Sequence, residues 1–253
     1  MNDAWLEAPI LDCRKWAEGL VTLRFDAELE PYQPGQWTNL ALRCDGELVR
    51  RAYSLASAPG EPPELFLNLV PGGTFTPRLF ALGAGERVLI EKRPQGFFTL
   101  SWVPDAEELW LCATGTGLAP FVSILRHDEV WRRFRRIVLV HGVRQVDQLG
   151  YKDEFSERAR AHDNRLTWVP IVSREPDAQD VLVGRVTRAL ESGELERYAG
   201  LELSPERSHV MLCGNPEMIM EMSTLLDARG LRKHRQRKPG HVTSEKFWDT
   251  PKS

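Results

Sequence analysis

Residues 109–120 read Leu-Trp-Leu-Cys-Ala-Thr-Gly-Thr-Gly-Leu-Ala-Pro, and they are the clearest indication of the fold of the second half of the chain. The apolar run predicts a buried strand, Gly115 and Gly117 predict a tight turn, and Pro120 suits the first turn of a helix. Parallel α/β sheets hold a pyrophosphate at such a turn, because the amino end of the helix favours anions. Packing alone also requires glycines there, and Pro120 stands where the dinucleotide fingerprint has its third glycine, so both interpretations stay open.

The order of strand, turn and helix repeats along the rest of this half. Buried strands are predicted at Leu109–Ala113, Ile137–His141, Leu166–Val172 and His209–Cys213. Helices are predicted at Leu118–Trp131, Tyr151–Ala161, Val186–Glu191 and Pro216–Arg229. Alternating strands and helices are typical of a parallel sheet, so we predict an α/β parallel-sheet domain at residues 102–253.

Residues 1–101 follow a different pattern, in which short apolar runs alternate with Gly and Pro. The runs are Leu20–Phe25, Gln36–Leu42, Leu65–Val70 and Arg87–Glu91. Separators such as Pro34-Gly35 and Pro71-Gly72-Gly73 are turn sequences, because Gly adopts positive φ and Pro fixes its own φ. We therefore predict an antiparallel β-barrel in this half.

Length and composition exclude several classes of protein. The 253 residues suffice for two cores, and 42% hydrophobic with 27% charged residues is typical of a globular chain. No run approaches the roughly 18 apolar residues of a membrane span. Met1–Pro9 carries acids and lacks the pattern of a secretory signal, so we expect a cytoplasmic protein. Four widely spaced cysteines argue against a disulfide framework or a metal site, and no metal is expected.

Three arginines follow predicted strands in the second half. Arg144 and Arg174 come just after two of them, and Arg185 follows a short Val-Gly pair. Ligands bind at the carboxyl ends of parallel strands, and a guanidinium suits a phosphate, so with Ser173 they form a candidate pocket for the 2'-phosphate of NADP. Solvated surface arginines are the competing interpretation.

Two segments of the first half carry polar groups beside an aromatic ring or a turn. Arg51-Ala52-Tyr53-Ser54 ends an extended run, so Arg51 and Tyr53 share one face and Ser54 lies on the other. An exposed Tyr can stack on a planar ring, and Pro71–Leu79 offers a glycine turn, two hydroxyls and a helix start that suit a pyrophosphate. An ordinary edge strand and a simple turn explain the same residues.

In this order, the motifs resemble those of bacterial ferredoxin/flavodoxin–NADP reductases, over essentially the full length of the chain. They are Arg51–Ser54, Gly73–Leu79, Gly96–Phe98, Ala113–Gly117, Val172–Glu175, Gly184–Arg185, Leu212–Pro216 and Arg237–Trp248. The resemblance implies an N-terminal antiparallel FAD-binding β-barrel at residues 1–101 and a C-terminal α/β parallel-sheet NADP-binding domain at residues 102–253, with a tail that covers the flavin.

The resemblance also implies the residues that hold FAD. They are Arg51, Ala52, Tyr53, Ser54, Phe66, Thr74, Phe75, Thr76, Thr116, Phe247 and Trp248. Arg51 and the loop from Thr74 to Thr76 are expected on the phosphates, Tyr53 on the isoalloxazine and Ser54 near its N5. Thr116 is expected beside flavin and nicotinamide.

The NADP residues implied in the same way are Arg144, Ser173, Arg174, Arg185, Gly214 and Asn215. Ser54 and Cys213 are the catalytic candidates, Cys213 because it would border the position of hydride transfer, although a buried Cys is also an ordinary apolar residue. Plant-type relatives have a glutamate two residues before their terminal Tyr. That offset from Trp248 falls on Lys246, with Glu245 one residue further, so the proton-handling residue is left unassigned. Residues 249–253 extend beyond the aromatic pair.

The implied function is electron transfer between NADPH and a small carrier, flavodoxin or ferredoxin, through hydride transfer to flavin N5. Alternatives are a general NADPH flavin reductase or diaphorase, and the flavin electron-relay subunit of a larger complex. We expect a monomer that binds no membrane and no nucleic acid. The acid-free basic segment Arg229–His241 is either a solvated surface, a docking site for an acidic carrier or, least favoured by the net charge of −3, a nucleic-acid site.

Overall fold

The structure is a computed structural model that describes residues 4–246. Contacts between residues divide the chain into two compact units. The first contains the residues up to Leu100 together with Ala119–His127, and the second contains Ser101–Leu118 together with the residues from Asp128 onward. The domain bounds of 1–101 and 102–253 stay a prediction.

The first unit is an antiparallel barrel, as predicted. Its strands and short helix are β1 (Trp5–Ala17), β2 (Leu20–Phe25), β3 (Trp37–Cys44), β4 (Glu47–Ser54), β5 (Glu64–Asn68), α1 (Thr76–Phe80) and β6 (Arg87–Glu91). The strand order is β4-β3-β6-β1-β2-β5, and every neighbouring pair is antiparallel. A bridge between Leu55 and Leu65 joins the two edge strands at one end. The sequence pattern gave no indication of β1, the longest strand.

Alternate residues of these strands fill the barrel. Ile10, Leu23, Leu40 and Ile90 are at most 1% exposed and pack in one apolar cluster. The segment Ala119–His127 contains a helix, α2 (Ala119–Arg126), that is fixed to this unit by polar contacts. Its Ser123 hydroxyl donates to the Ser57 carbonyl at 2.6 Å.

The second unit is the predicted parallel α/β sheet. Its elements are β7 (Glu108–Thr114), α3 (Asp128–Arg133), β8 (Arg136–Val143), α4 (Lys152–Ala161), β9 (Leu166–Val172), β10 (Leu182–Val183), α5 (Val186–Glu191), α6 (Glu194–Ala199), β11 (Ser208–Gly214), α7 (Pro216–Ala228) and β12 (Val242–Lys246). The strand order is β10-β9-β8-β7-β11-β12, all parallel. The carboxyl ends of these strands therefore share one edge of the sheet.

The structure corrects one predicted helix and adds elements that the pattern did not indicate. The helix predicted at Leu118–Trp131 is two helices, α2 and α3, separated at His127, whose N–H bonds to the Ile124 carbonyl in a tight turn. Asp128 and Glu129 stabilise the new helix start, because acids are favourable in a first turn. The added elements include α6 and β12. Among residues 4–246, no helix is long and apolar enough to cross a membrane.

Candidate nucleotide and flavin sites

Three predicted phosphate ligands follow three neighbouring strands. Arg144 comes directly after β8, Arg174 two residues after β9, and Arg185 two residues after β10. Because these strands are adjacent in the sheet, the three arginines leave it along one stretch of its carboxyl edge. All three are exposed, and none of their guanidinium groups is hydrogen bonded or ion paired to another described residue. Free guanidinium groups in one region are what a phosphate requires.

The loops that carry these arginines are tied together through their backbones. The Ser173 N–H donates to the Val143 carbonyl at 3.1 Å, and the Arg174 N–H donates to the Arg144 carbonyl at 2.9 Å. The Ser173 hydroxyl also donates to the Val143 carbonyl, at 3.2 Å. The predicted phosphate role of Ser173 therefore requires that this hydroxyl turn away from the strand end.

The glycine turn after β7 is shaped by its neighbour in the sheet. A Cβ on Gly117 would lie 2.5 Å from the Cys213 carbonyl oxygen, so only glycine fits against the end of β11. Gly214 has φ +129°, and a Cβ there would lie 2.3 Å from Thr114 Oγ1. Thr114 Oγ1 accepts from the Asn215 N–H at 2.9 Å. Packing between two turns thus explains Gly117, the alternative that the sequence left open for this residue.

His141 supports the same turn from within the sheet. Its side chain is fully buried, and Nε2 lies 3.1 Å from the Gly115 carbonyl oxygen. Nδ1 is buried without a partner among the described residues. Burial lowers the pKa of His141 to about 4, so the imidazole is neutral at pH 7 and donates from Nε2. The sequence interpretation did not single out His141.

Asn215 performs a structural task in addition to its predicted one. Its side-chain oxygen accepts from the Glu217 N–H at 2.8 Å and caps α7, with Pro216 in the first turn. Gly214 and Asn215 lie at the carboxyl edge of the sheet next to Thr116, which is half-buried in the glycine turn. Gly214 and Asn215 therefore lie at the edge where the sequence placed them, but the side-chain oxygen of Asn215 already accepts a hydrogen bond from α7.

Cys213 lies opposite a carboxylate that the sequence left unassigned. It is fully buried near the end of β11 and pairs in register with Glu245 on β12. Burial, and then the charge of Glu245, raise the pKa of Cys213 well above its usual value. Burial raises the pKa of Glu245 to about 7. A neutral thiol therefore stands beside a carboxyl group that can gain or lose a proton near neutral pH.

The end of β4 carries the first predicted flavin ligands. Arg51 and Ala52 are exposed, whereas Tyr53 is half-buried with its ring 6.1 Å from that of Phe75. Burial raises the pKa of Tyr53 to about 12, so its hydroxyl stays protonated. Tyr53 is thus less open than the exposed ring that the sequence suggested. Ser54 is buried, and its hydroxyl makes no hydrogen bond to a described residue.

Only some side chains of the predicted phosphate loop of this unit are available to bind a ligand. The Thr74 side chain is exposed and makes no hydrogen bond to a described residue. Phe75 is 2% exposed and belongs to the barrel core. The Thr76 hydroxyl is buried and accepts from the Val70 N–H at 2.9 Å. The side chains of Phe75 and Thr76 therefore hold the loop in shape.

Of the remaining aromatic residues predicted to contact the flavin, the structure describes Phe66 but not the two in the tail. Phe66 alternates with core residues of β5, so its ring lies on the other face of the strand, edge-on to Trp16 at 6.3 Å. A flavin contact of Phe66 stays a prediction. Phe247 and Trp248 lie outside the described residues.

The free donors of each unit fit the two expected cofactors. In the first unit, Arg51 is an exposed cation whose Nη1 donates to the Arg50 carbonyl at 2.7 Å, and Thr74 offers an exposed hydroxyl. Arg78 Nη1 is buried without a partner among the described residues, while Nη2 bonds to Asp45 at 2.5 Å. An unpartnered guanidinium nitrogen is costly unless an anion binds it, so this donor set suits a pyrophosphate. In the second unit, the three free arginines suit a nucleotide phosphate.

The basic segment Arg229–His241 lies at the opposite edge of the sheet from these arginines, because it leads into the amino end of β12. Arg229 pairs with Glu196 at 2.7 Å. Five further cations have no ion pair to a described residue: Arg232, Lys233, Arg235, Arg237 and Lys238. A cavity of about 160 Å³ at this edge is lined by Ser208, His209 and His241 among others, and by none of the predicted site residues.

Comparisons with known proteins agree with this geometry. A family model of an oxidoreductase NAD-binding domain matches residues 111–224. The flavodoxin/ferredoxin–NADP reductase of Escherichia coli (strain K12) is 41% identical over 246 residues, which cover 96% of this chain and 99% of that protein. The ferredoxin–NADP reductase of Pseudomonas aeruginosa is 34% identical over 225 residues, 85% of this chain and 86% of that protein.

A solved structure extends the similarity to the whole fold. The crystal structure of a ferredoxin NADP+ reductase from Neisseria gonorrhoeae with bound FAD and NADP matches with a TM-score of 0.91 and 28% identity, covering 98% of this chain and 100% of that chain. With the sequence identities above, this places the chain among known enzymes: it belongs to the flavodoxin/ferredoxin–NADP reductase family.

Proposed function

We propose that this protein is an FAD-dependent oxidoreductase that transfers electrons between NADPH and flavodoxin or ferredoxin. The observation that carries the proposal is the set of three free arginines after three adjacent parallel strands. The relatives named above act on flavodoxin or ferredoxin and NADP, and the similar structure from Neisseria gonorrhoeae holds FAD and NADP. The flavin, when bound, accepts a hydride from nicotinamide C4 at its N5 and passes single electrons to the carrier.

The nucleotide edge of the second unit selects NADPH over NADH. Arg144, Arg174 and Arg185 bind the 2'-phosphate as charge-assisted donors, and Ser173 adds a hydroxyl. NADH offers no phosphate at this position, so the arginines contribute little to its binding. Gly214 and Asn215 contact the nucleotide through the backbone, because the side chain of Asn215 caps α7.

The barrel holds FAD through polar groups that are exposed or that still have a hydrogen-bonding atom without a partner among the described residues. Arg51, Thr74 and Arg78 bind the phosphates, Tyr53 presents part of its ring to the isoalloxazine, and the unpaired hydroxyl of Ser54 binds near N5. Ala52 and Phe75 contribute backbone groups, and Phe66 and Thr116 complete the set of FAD contacts.

Glu245 handles the proton. Its pKa of about 7 lets it release or take up a proton at neutral pH, which the Cys213 thiol beside it cannot do. Cys213 borders the position of hydride transfer as a small uncharged side chain. Ser54 stays a catalytic candidate through its contact with the flavin.

The basic segment Arg229–His241 attracts the acidic carrier. Its unpaired cations raise the association rate over a distance, and this role does not require contact at the edge where hydride transfer takes place. The protein acts as a cytoplasmic monomer, without a membrane or nucleic-acid partner.

The proposal is tested with the purified protein. We expect a yellow protein with stoichiometric FAD that reduces flavodoxin or ferredoxin with NADPH and poorly with NADH. A general flavin reductase would instead turn over free flavin faster than either carrier, and an electron-relay subunit would show no preference for NADPH. A colourless protein that does not take up FAD contradicts the proposal.

A further inference from the structure

Glu175 is an acid within a site that is proposed to bind a phosphate. It follows Arg174 directly and is half-buried. A carboxylate there repels the 2'-phosphate, so its presence requires a compensating role. Electrostatics alone would favour a neutral residue at this position.

The carboxylate of Glu175 does not neutralise the arginines. Among the described residues, it forms no ion pair with Arg144, Arg174 or Arg185. Its Oε1 instead accepts from the Val146 N–H at 3.3 Å, across the gap between the loop after β9 and the loop after β8. The acid thus binds backbone and leaves the three guanidinium groups free.

This contact completes a set of hydrogen bonds around Arg144. The Arg144 N–H donates to Gln148 Oε1 at 3.1 Å, and the Arg144 carbonyl accepts from the Arg174 N–H at 2.9 Å. The Gln145 N–H donates to Gln148 Oε1 at 3.3 Å, and the Val146 N–H donates to Glu175. The backbone of three successive residues, 144, 145 and 146, is therefore fixed by these four hydrogen bonds, two from within the loop and two from the loop of Arg174.

Fixing the backbone at this point matters because the side chain of Arg144 is itself unrestrained. An arginine on a mobile loop loses backbone and side-chain freedom when a phosphate binds, and preorganisation removes part of that cost. Glu175 adds a side-chain contact to the backbone hydrogen bonds that join the loop of Arg144 to that of Arg174, so it helps to hold the backbones of two phosphate ligands at a constant separation.

We propose that Glu175 is a positioning residue that sets the affinity for the 2'-phosphate by tying together the two arginine loops. The inference rests on the proposed NADP pocket and adds a determinant of its specificity. The active group is the hydrogen-bond acceptor at Oε1, and this contact does not require the negative charge. Removing the acceptor weakens binding of the phosphate, whereas removing only the charge does not.

The test compares Glu175→Ala, Glu175→Gln and a control, Asp177→Ala, in the FAD-loaded full-length protein. Asp177 is an exposed acid in the same loop whose carboxylate has no partner among the described residues. Calorimetric titration with 2'-phospho-AMP reports the pocket directly, titration with NAD+ reports the rest of the nucleotide site, and steady-state kinetics separate KM from kcat. Arg174→Ala tests the pocket itself.

We expect Glu175→Ala to raise the Kd for 2'-phospho-AMP and the KM for NADPH about five- to tenfold, the size of one lost hydrogen bond, with the loss in KM rather than kcat. Binding of NAD+ stays unchanged. Glu175→Gln keeps an acceptor, so its Kd for 2'-phospho-AMP and its KM for NADPH stay within about twofold of the wild-type values. The same range is expected for Asp177→Ala.

Two results overturn the inference alone. The first is that Glu175→Gln binds 2'-phospho-AMP as weakly as Glu175→Ala does. The second is that Glu175→Ala binds 2'-phospho-AMP as tightly as wild type, or more tightly, while Arg174→Ala binds it more weakly. If Arg174→Ala leaves 2'-phospho-AMP binding intact, the NADP pocket is wrong, and the proposed function loses the observation that carries it.

Discussion

The nucleotide edge of the second unit and the loop after β5 in the first differ in how much of their chemistry is already engaged. At the edge, the guanidinium groups of Arg144, Arg174 and Arg185 bind no other residue within 4–246. In the loop, Phe75 is in the core and the Thr76 hydroxyl binds a backbone N–H. Long charged side chains in exposed loops can serve a ligand alone, whereas short or aromatic residues beside a core also stabilise the fold. Substitutions at the edge should therefore change nucleotide binding without changing the stability of the fold. Substitutions in the loop should affect ligand binding at some positions and stability at others.

The largest effect on stability at the nucleotide edge is expected from His141, which is fully buried, unlike the three arginines. Its pKa is about 4 in the folded protein and 6.5 when unfolded, so the unfolded chain binds more protons between these values. Stability therefore falls as the pH is lowered from 6.5 toward 4, by about 3 kcal/mol from this residue.

Chemical denaturation of wild type and His141→Gln between pH 7 and 4 measures this loss. Gln keeps a donor for the Gly115 carbonyl and does not titrate, and buried His209 is common to both proteins. The difference in unfolding free energy between wild type and His141→Gln should decrease by about 3 kcal/mol as the pH is lowered from 7 to 4. A constant difference would show that His141 does not titrate as described.

Substitutions of the two threonines in the loop after β5 should have different effects. Thr76→Val leaves the Val70 N–H without its acceptor and should cost about 1–3 kcal/mol of unfolding free energy. Thr74→Val should change stability by less than about 0.5 kcal/mol and weaken FAD binding instead. Thermal unfolding and FAD titration of the apoprotein are the measurements. Equal stability losses for both variants would erase the distinction between free and engaged residues.

Much of this organisation could be predicted from the sequence, because it depends on local pattern. The strand, glycine turn and helix around residues 109–120 identified the parallel sheet, and the position of Arg144 and Arg174 after strands placed them at its edge. The break at His127 depends on a single turn that hydrophobic periodicity does not reveal.

The remaining features arise from contacts between distant segments. Gly117 is required by the carbonyl of Cys213, almost a hundred residues away, and no local pattern contains this information. Glu245 acquires its raised pKa from burial in β12, opposite Cys213. The offset of two residues that plant-type relatives show leads to Lys246 when it is counted from Trp248 and to Glu245 when it is counted from Phe247.

A smaller effect is expected at Glu245, where a half-buried acid titrates near the nucleotide edge. Its protonated form predominates below about pH 7, so turnover in wild type should decline as the pH rises through 7. Glu245→Gln should remove that limb of the pH profile, and Glu245→Asp should retain it. An unchanged profile in Glu245→Gln would leave the proton with another group.

The smallest effect is expected from the basic segment, where the cations act at a distance. Arg235→Glu with Lys238→Glu should lower kcat/KM for the carrier severalfold at low salt, with the difference vanishing at high salt. Reduction of ferricyanide should not change. Lys152→Glu with Arg160→Glu, exposed on α4, is the matched control. A salt-independent rate of carrier reduction in wild type would contradict electrostatic docking.

The most direct test of the account is the rate of flavin reduction by NADPH and by NADH, measured by stopped flow in wild type and in Arg144→Ala with Arg174→Ala. We expect bound FAD in both proteins and a strong NADPH preference in wild type. The variant should lose most of that preference, about 100-fold, through weaker NADPH binding alone. An equal loss with both nucleotides, or a wild-type preference that survives in the variant, would contradict the claim that these arginines select the cofactor.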